Sequence, residues 1–212
     1  MSFVNKKENS FPFPPAEPGD TRMHILVEAA KLFAQKGYAR ATTRALAAAA
    51  GVTEVTLFRH FNSKEKLFEE AARQFGGAMV SPLLEEQLTG DDFKADLQRF
   101  GLMFIKIFLE RRAVIRMMLC ESIHFPNLTQ NMSENPRMLR KLIASYMQQQ
   151  IDRGSIRRVQ VETVAQGFIG MLFSYGLLAD MLTDAEGEIF STEEYVEDLV
   201  DVFTHGLLLE ER

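Results

Sequence analysis

The chain has 212 residues, of which 46% are hydrophobic and 25% are charged, and its net charge is −5 at pH 7. This length suits one domain or two small ones and can bury a core without disulfides or metals, while the composition excludes wholesale disorder and collagen-like repeats. A single cysteine, Cys120, excludes an internal disulfide and fits a reducing compartment.

We predict that residues 1–20 form a flexible leader, because they hold four of the seven prolines and show no apolar period. Lys6 and Lys7 are followed by prolines rather than by an apolar run, so we expect no signal peptide. The longest nearly uncharged apolar stretch, 167–179, is shorter than the roughly 20 residues that a membrane span needs. We therefore expect a cytoplasmic protein with no membrane partner.

From Thr21 onward, apolar residues recur at spacings of three and four, which predicts helices. The first helix ends at Gly37, and Gly51, whose missing side chain tolerates a positive φ, separates the second helix from the third. Four helices are therefore predicted in this part. The first begins at Thr21, and the second spans 44–50 with Thr42 or Thr43 as its N-cap. The third runs from the N-cap Thr53 to about His60, and the fourth spans 64–75.

Five further helices are predicted beyond a seam at Gly76-Gly77. They span 92–110, 112–125, 136–153, 161–182 and 192–211, with Pro126 closing the second, Pro136 opening the third, and Ser191 and Glu194 forming a capping box. No segment shows strand alternation or a hairpin turn signal. The predicted class is all-α, with about nine helices.

Charge is unevenly distributed along the chain. Residues 21–75 hold nine Lys and Arg against five Asp and Glu, whereas 76–212 hold thirteen against twenty-one. A basic segment on an acidic body suggests two separate tasks. The alternative is that an excess of four positive charges over this length is chance scatter.

The two short helices around Gly51 have the spacing of a helix-turn-helix, with Ala47 small enough for close approach and Leu46, Val52 and Leu57 buried between the helices. Such hairpins are also common packing units. The flanking residues closely resemble the TetR family of bacterial transcription regulators over 21–70: Ile25-Leu26, Ala29-Ala30, Leu32-Phe33-Ala34-Gln35-Lys36-Gly37-Tyr38, Thr42-Thr43-Arg44, Gly51-Val52-Thr53, Thr56-Leu57-Phe58-Arg59-His60-Phe61, Ser63-Lys64-Glu65 and Leu67.

This resemblance implies a homodimer with a helix-turn-helix DNA-binding domain over 21–75 and an effector-binding and dimerisation domain over 76–212. The last two helices would form a four-helix bundle with the partner subunit. Two-fold symmetry would then place two recognition helices on a palindromic operator of double-stranded DNA. Alternatively, their apolar stripes only complete a monomer core.

The resemblance places the DNA contacts on and around the helix pair. Arg44 would grip a phosphate or a guanine edge, and Val55 would touch a thymine methyl; the alternative for Arg44 is a surface arginine behind a cap. Glu54 departs from the family pattern, and it either accepts from a cytosine amine or complements the helix dipole. The predicted DNA-binding residues are Thr42, Thr43, Arg44, Thr53, Glu54, Val55, Thr56, Arg59, His60 and Lys64.

Three of the predicted DNA-binding residues, Arg59, His60 and Lys64, lie after the start of the recognition helix and are assigned mainly to phosphates. Arg59 would add salt-dependent phosphate contact, His60 would pack or donate to phosphate, and Lys64 would meet phosphate at the start of the fourth helix. A solvated lysine is the alternative for Lys64. Phe58, where the family often has tyrosine, is assigned mainly to packing.

An aromatic and Met-rich set in the C-terminal part could line an adaptable pocket for an apolar or amphipathic effector, although such stripes usually form core. The predicted effector-binding residues are Phe104, Phe108, Met117, Glu121, His124, Tyr146 and Phe173. Cys120 and His124 are four apart, but a metal site needs more ligands, so no metal and no cofactor are expected.

Three functions compete at this point. The first is a ligand-responsive, sequence-specific DNA-binding regulator, more readily a repressor, whose effector favours a state with misplaced recognition helices. The second is a helical small-molecule binding protein that no longer reads DNA. The third, a small helical enzyme, has no support, because neither a Gly-rich phosphate loop nor a Ser/His/Asp motif is present.

Overall fold

The computed structural model describes residues 20–76, 82–178 and 191–207, and this part of the chain contains nine α-helices and no β-strand, as the predicted all-α class requires. The helices are α1 (Thr21–Arg40), α2 (Thr43–Ala49), α3 (Glu54–Phe61), α4 (Lys64–Gly76), α5 (Pro82–Glu85), α6 (Phe93–Glu121), α7 (Pro126–Asp152), α8 (Val161–Leu178) and α9 (Thr192–His205). The predicted leader, Gly77 of the seam, and the predicted helix ends at Leu182 and Glu211 lie outside the described residues.

The breaks between the first helices and the start of α9 lie where the sequence signals predicted them. Gly37 has a φ of 74° and kinks α1, whose helical range continues to Arg40. Gly51 has a φ of 63°, in the left-handed region that glycine adopts without a Cβ clash. Ser191 and Glu194 form the predicted capping box at the start of α9.

Two predicted helix boundaries are wrong. The predicted break between 92–110 and 112–125 does not exist, because α6 runs without interruption from Phe93 to Glu121. The charged run Glu110-Arg111-Arg112 disturbs the apolar period there, but these residue types are good helix formers and do not end a helix.

The predicted start of a helix at Pro136 is also wrong, because Pro136 lies inside α7. Pro126 occupies the first position of α7, where a proline's missing N–H costs nothing. The short helix α5 was not predicted and keeps the described total at nine.

The described residues form two compact units. One takes its residues from Met1–Gly77 and Glu110–Asn131, and the other takes them from Ala78–Leu109 and Met132–Arg212. The long helix α6 therefore contributes its first half to the second unit and its last turns to the first unit.

Aromatic rings fill the core of the first unit. Phe33 and Phe68 are fully buried, and their ring centroids lie 5.0 Å apart. The ring of Tyr38 lies 5.0 Å from that of Phe68 and 4.7 Å from that of Phe125, near the end of α6. This cluster joins α1, α4 and the last part of the unit, and so holds the framework on which α2 and α3 rest.

The second unit has a core of stacked phenylalanines on α6 and α8. Phe100, Phe104 and Phe108 are fully buried, with centroids 6.3 and 6.1 Å apart along α6. A Cβ atom at Gly176 of α8 would lie 2.5 Å from Phe108, so only glycine permits this approach. By length and composition alone, α8 among the described helices could cross a membrane, but the core helix of a soluble protein passes the same test.

Candidate nucleic-acid interface

The α2–turn–α3 pair is held together by a small apolar core and a tight turn. Leu46 and Leu57 are fully buried and Ala47 is 3% exposed, whereas Val52, predicted as buried, is only half-buried. The turn closes with the Val52 amide donating to the Ala47 carbonyl over 2.9 Å. This arrangement fixes α3 against α2 and leaves the opposite face of α3 free.

Threonine caps begin both helices. The hydroxyl of Thr42 accepts from the Ala45 amide at 3.2 Å, and the hydroxyl of Thr53 accepts from the Thr56 amide at 3.2 Å. The hydroxyls of Thr53 and Thr56 also lie 3.0 Å apart in a hydrogen bond. Thr42, Thr53 and Thr56 therefore set the helix starts, and any further contact uses their remaining lone pairs or protons.

The first turn of α3 presents a carboxylate and an apolar side chain. The Thr43 hydroxyl donates to Glu54 Oε2 over 2.6 Å and links the starts of α2 and α3. Val55 follows with 80% of its side chain exposed. An exposed valine has no packing role in this unit, but a thymine methyl would fit against it.

The basic side chains of the first unit divide into paired and unpaired cations. Arg22, Lys31 and Lys66 form ion pairs with Glu70, Glu28 and Glu69, respectively. Within the described residues of the first unit, five exposed cations form no ion pair: Lys36, Arg40, Arg44, Arg59 and Arg73. Surface ion pairs leave less net charge for a phosphate, so the unpaired cations carry most of the positive field.

Three of these unpaired cations were missed by the sequence reasoning. Lys36, Arg40 and Arg73 are exposed, as are the predicted Arg44 and Arg59. The sequence of 21–75 contains nine lysines and arginines but does not tell which of them form ion pairs. Only their positions in the folded unit separate the paired cations from the unpaired ones.

Lys64 is placed differently from the other predicted cations. Its Nζ atom lies 4.2 Å from the ring centroid of Tyr38, in a cation–π contact. Burial lowers the pKa of the Lys64 ammonium, and the negative charge of Glu121 opposes that shift. The Lys64 side chain therefore packs partly inside the first unit rather than standing free in solvent.

His60 and Phe58 occupy the last part of α3. His60 is half-buried, with its ring 6.3 Å from that of Phe61. Phe58, assigned to packing from the sequence, is 37% exposed. The packing role is therefore filled mainly by Leu57 and Phe61, which are buried.

The predicted effector residues are distributed over both units. Met117, Glu121 and His124 belong to the first unit, and Phe104, Phe108, Tyr146 and Phe173 belong to the second. Phe108 and Phe173 meet edge to face, with centroids 5.1 Å apart. Glu121 Oε1 accepts from the Tyr38 amide at 3.0 Å, and His124 is exposed.

Tyr146 takes part in a buried network around Asp96. Its hydroxyl donates to Asp96 Oδ2 over 2.6 Å, and the same carboxylate accepts from the Gly90 amide at 2.6 Å and from the Thr89 hydroxyl at 2.8 Å. Burial disfavours the charged form of Asp96, but these hydrogen bonds and the nearby Arg99 outweigh it and hold the Asp96 pKa below its usual value. Burial and the bond to Asp96 raise the pKa of Tyr146.

We expect Tyr146→Phe to lower the free energy of unfolding by about 1–3 kcal/mol at pH 7, because it leaves a buried carboxylate short of a donor. The folded pKa of Asp96 lies below its unfolded value of about 4, so its contribution is complete above that pH and is lost as the pH falls through the folded pKa. The difference between variant and parent should therefore shrink in acid.

Denaturant unfolding at pH 7 and below pH 4 measures both values. Tyr195→Phe serves as the control, because its hydroxyl donates to the uncharged carbonyl of Met171 at 3.0 Å. An equal loss for Tyr146→Phe at both pH values would contradict the ionised state of Asp96.

Within the described ranges, no group of three or more His, Cys, Asp or Glu side chains is arranged to hold a metal ion. Cys120 is exposed.

Comparisons with known proteins agree with the helix-turn-helix. The family model of bacterial regulatory proteins of the tetR family matches residues 25–71, and the model of the C-terminal domain of AefR-like transcriptional repressors matches residues 95–205. The HTH-type transcriptional regulator YvkB of Bacillus subtilis is 30% identical over 155 residues, which cover 73% of this chain and 80% of YvkB.

Two further similarities cover most of the chain. The HTH-type transcriptional repressor AcnR of Corynebacterium efficiens is 26% identical over 166 residues, covering 74% of this chain and 84% of AcnR. A Saccharomonospora viridis protein solved in complex with choline superposes with a TM-score of 0.73 at 20% identity, covering 92% of this chain and all of that one. At this identity, the second similarity concerns the fold alone.

Proposed function

Because this chain belongs to the TetR family of bacterial regulatory proteins, we propose how its helix-turn-helix and its second unit perform the family's task. The protein is a ligand-responsive DNA-binding repressor. The observation that carries the DNA contact is the exposure of Arg44 on α2 and of Val55 and Arg59 on α3, together with the absence of an ion pair at either arginine among the described residues. A major groove admits such a helix, and its phosphates attract the arginines.

The proposed contacts divide into base-reading and phosphate-binding groups. Glu54 and Val55, at the start of α3, face the base edges, and Arg44 and Arg59 face phosphates. The proposed contact residues are Thr42, Arg44, Thr53, Glu54, Val55, Thr56, Arg59, His60 and Lys64, to which the unpaired Arg40 is added, whereas the Thr43 hydroxyl is bonded to Glu54 and acts through it. Since Lys64 packs on Tyr38, its contact with phosphate would be the weakest of the cationic ones.

We assign DNA binding to residues 21–75, and effector binding and dimerisation to residues 76–212. TetR regulators act as dimers, and an open groove of about 360 Å³ on α8 and α9 supports these helices as the contact with the second subunit. Its lining residues are Met171, Tyr195, Asp198, Leu199 and Val202. A two-fold dimer would read a palindromic operator with half-sites about 34–36 Å apart, or a multiple of that.

The effector is proposed to be a small apolar or amphipathic molecule. The aromatic cores of both units support this class, and a structural neighbour holds choline, a small cation with an apolar surface. The proposed contact residues are the predicted ones of the second unit, Phe104, Phe108, Tyr146 and Phe173. Repression is relieved if the effector binds the conformation whose recognition helices do not fit the operator more tightly than it binds the DNA-binding conformation.

The relatives that the chain matches are named as regulators, and this supports a protein that binds rather than catalyses. We also propose that it works in the cytoplasm, where its operator would be.

Selection of bound fragments from random duplex DNA tests the proposal. We expect an enriched, two-fold symmetric sequence bound at least about 10³-fold more tightly than unselected DNA. A protein that enriches no sequence and binds all fragments equally weakly would instead match the second candidate, a helical binding protein without DNA recognition.

A further inference from the structure

The hydrogen bond between Thr43 and Glu54 joins the two helices at their exposed starts. Thr43 Oγ1 donates to Glu54 Oε2 over 2.6 Å, although the residues are eleven positions apart. The bond uses the single proton of the Thr43 hydroxyl, so this hydroxyl has none left to give to a phosphate. It also restricts the rotation of the Glu54 side chain and leaves Oε1 as a fixed acceptor.

Glu54 is an exposed carboxylate with no cation beside it. No ion pair links it to any lysine, arginine or histidine of the described residues. It lies next to Val55, which is 80% exposed and marks the outward face of the first turn of α3. If this turn enters a major groove, the carboxylate loses water and must meet a hydrogen-bond donor there, because an unmet buried charge is costly.

We propose, on the basis of the DNA-binding function set out above, that Glu54 determines specificity by accepting a hydrogen bond from the N4 amino group of a cytosine. A carboxylate only accepts hydrogen bonds, and the donors on base edges in the major groove are cytosine N4 and adenine N6. Guanine and thymine present acceptors at the equivalent position, which repel it.

Cytosine fits a carboxylate better than adenine does. The N6 amino group of adenine lies between two acceptors, its own N7 and O4 of the paired thymine. The N4 amino group of cytosine has an acceptor on one side only, O6 of the paired guanine. A carboxylate approaching from the cytosine side therefore meets a donor without facing a second acceptor.

Thr43 acts as a positioning residue in this arrangement. Its hydroxyl holds Oε2, so Oε1 is presented without the entropy cost of fixing a free glutamate side chain on binding. The same negative charge weakens contact with phosphates everywhere, so the pair reduces affinity for unrelated DNA and favours sequences that supply a donor.

The experiment is selection from random duplex DNA by the full-length parent protein, by Glu54→Gln and by Glu54→Ala, followed by affinity measurements on single-base variants of the parent's selected duplex. We expect the parent to prefer cytosine at one position of each half-site by roughly 5- to 150-fold. Glutamine, which both donates and accepts, should shift that position towards adenine, and alanine should remove the preference.

Glu28→Gln is the matched control, because it removes a carboxylate from α1 of the same unit, where Glu28 pairs with Lys31. It should leave the preferred sequence unchanged. Thr43→Val tests the positioning role: the cytosine preference should fall several-fold while the unfolding transition of the protein stays in place. An unchanged preference in Thr43→Val would overturn the positioning role.

The outcomes separate this inference from the proposed function. If the parent enriches no sequence, sequence-specific DNA binding itself fails. If the parent enriches an operator, and Glu54→Gln and Glu54→Ala enrich the same one with the same base preferences, the function stands and the inference about Glu54 is wrong.

Discussion

Replacing both Arg44 and Arg59 by alanine is expected to weaken binding to the selected operator by at least about 30-fold at physiological salt. Both side chains are exposed and form no ion pair with a described residue, so their full charge is available to the DNA. A lost hydrogen bond to a charged phosphate costs about 1.5–3 kcal/mol, so two such losses exceed the roughly 2 kcal/mol that a 30-fold change represents. Fluorescence anisotropy with a labelled operator duplex measures the change.

The control for this variant is Lys31→Ala combined with Lys66→Ala, which removes the same number of positive charges from the same unit. Both lysines are already paired, with Glu28 at 2.7 Å and with Glu69 at 3.0 Å. We expect only a few-fold loss from this control. Equal losses in the two double variants would mean that net charge, rather than the α2–α3 face, decides binding.

Replacing Phe68 by alanine is expected to lower the free energy of unfolding by about 3–5 kcal/mol, as for other buried phenylalanines. The Phe68 ring is fully buried and lies 5.0 Å from the rings of Phe33, Tyr38 and Phe125. The cavity would loosen α1 and α4, and operator binding should fall with the population of folded first unit.

Denaturant unfolding and operator binding are measured on the same preparations. Phe58→Ala is the matched control, because it deletes the same side chain at a position that is 37% exposed. Its cost should stay below about 1.5 kcal/mol, since less apolar area is lost from the interior. Similar unfolding free energies for the two variants would contradict the assignment of Phe68 to the core.

Local signals made the helix-turn-helix predictable from sequence. Thr42 and Thr53 are small hydroxyl residues ahead of helical segments, and each caps the helix that follows. Gly51 stands where the chain needs a positive φ, and only a glycine takes that conformation without strain. These signals depend on neighbouring residues alone, which is why the sequence carries them.

Features that depend on distant contacts were not predictable in this way. The break predicted within α6 came from a charged run, because periodicity cannot show that charged helix formers continue a helix. Glu121 looked like a polar group for an effector, but it accepts from the Tyr38 amide, 83 positions earlier in the chain. The bond between Thr43 and Glu54 likewise appears only once α2 and α3 are placed.

The division of cations into paired and unpaired sets is a property of the fold in the same sense. Arg22 and Arg44 look alike in the sequence, but Arg22 pairs with Glu70 and its guanidinium lies 4.9 Å from the ring centroid of Phe61. Arg44 stays exposed at the start of α2. Sequence reasoning therefore finds the basic segment, and the structure decides which of its members face a ligand.

The salt dependence of operator binding tests the central claim most directly, because each phosphate contact contributes about 0.9 to the slope of log affinity against log salt. With two or more arginine contacts from each subunit of a dimer, we expect affinity to fall with a slope of magnitude about 4 or more. A slope near zero would contradict the account, since it would mean that the exposed face of α2 and α3 does not meet the phosphates of a duplex.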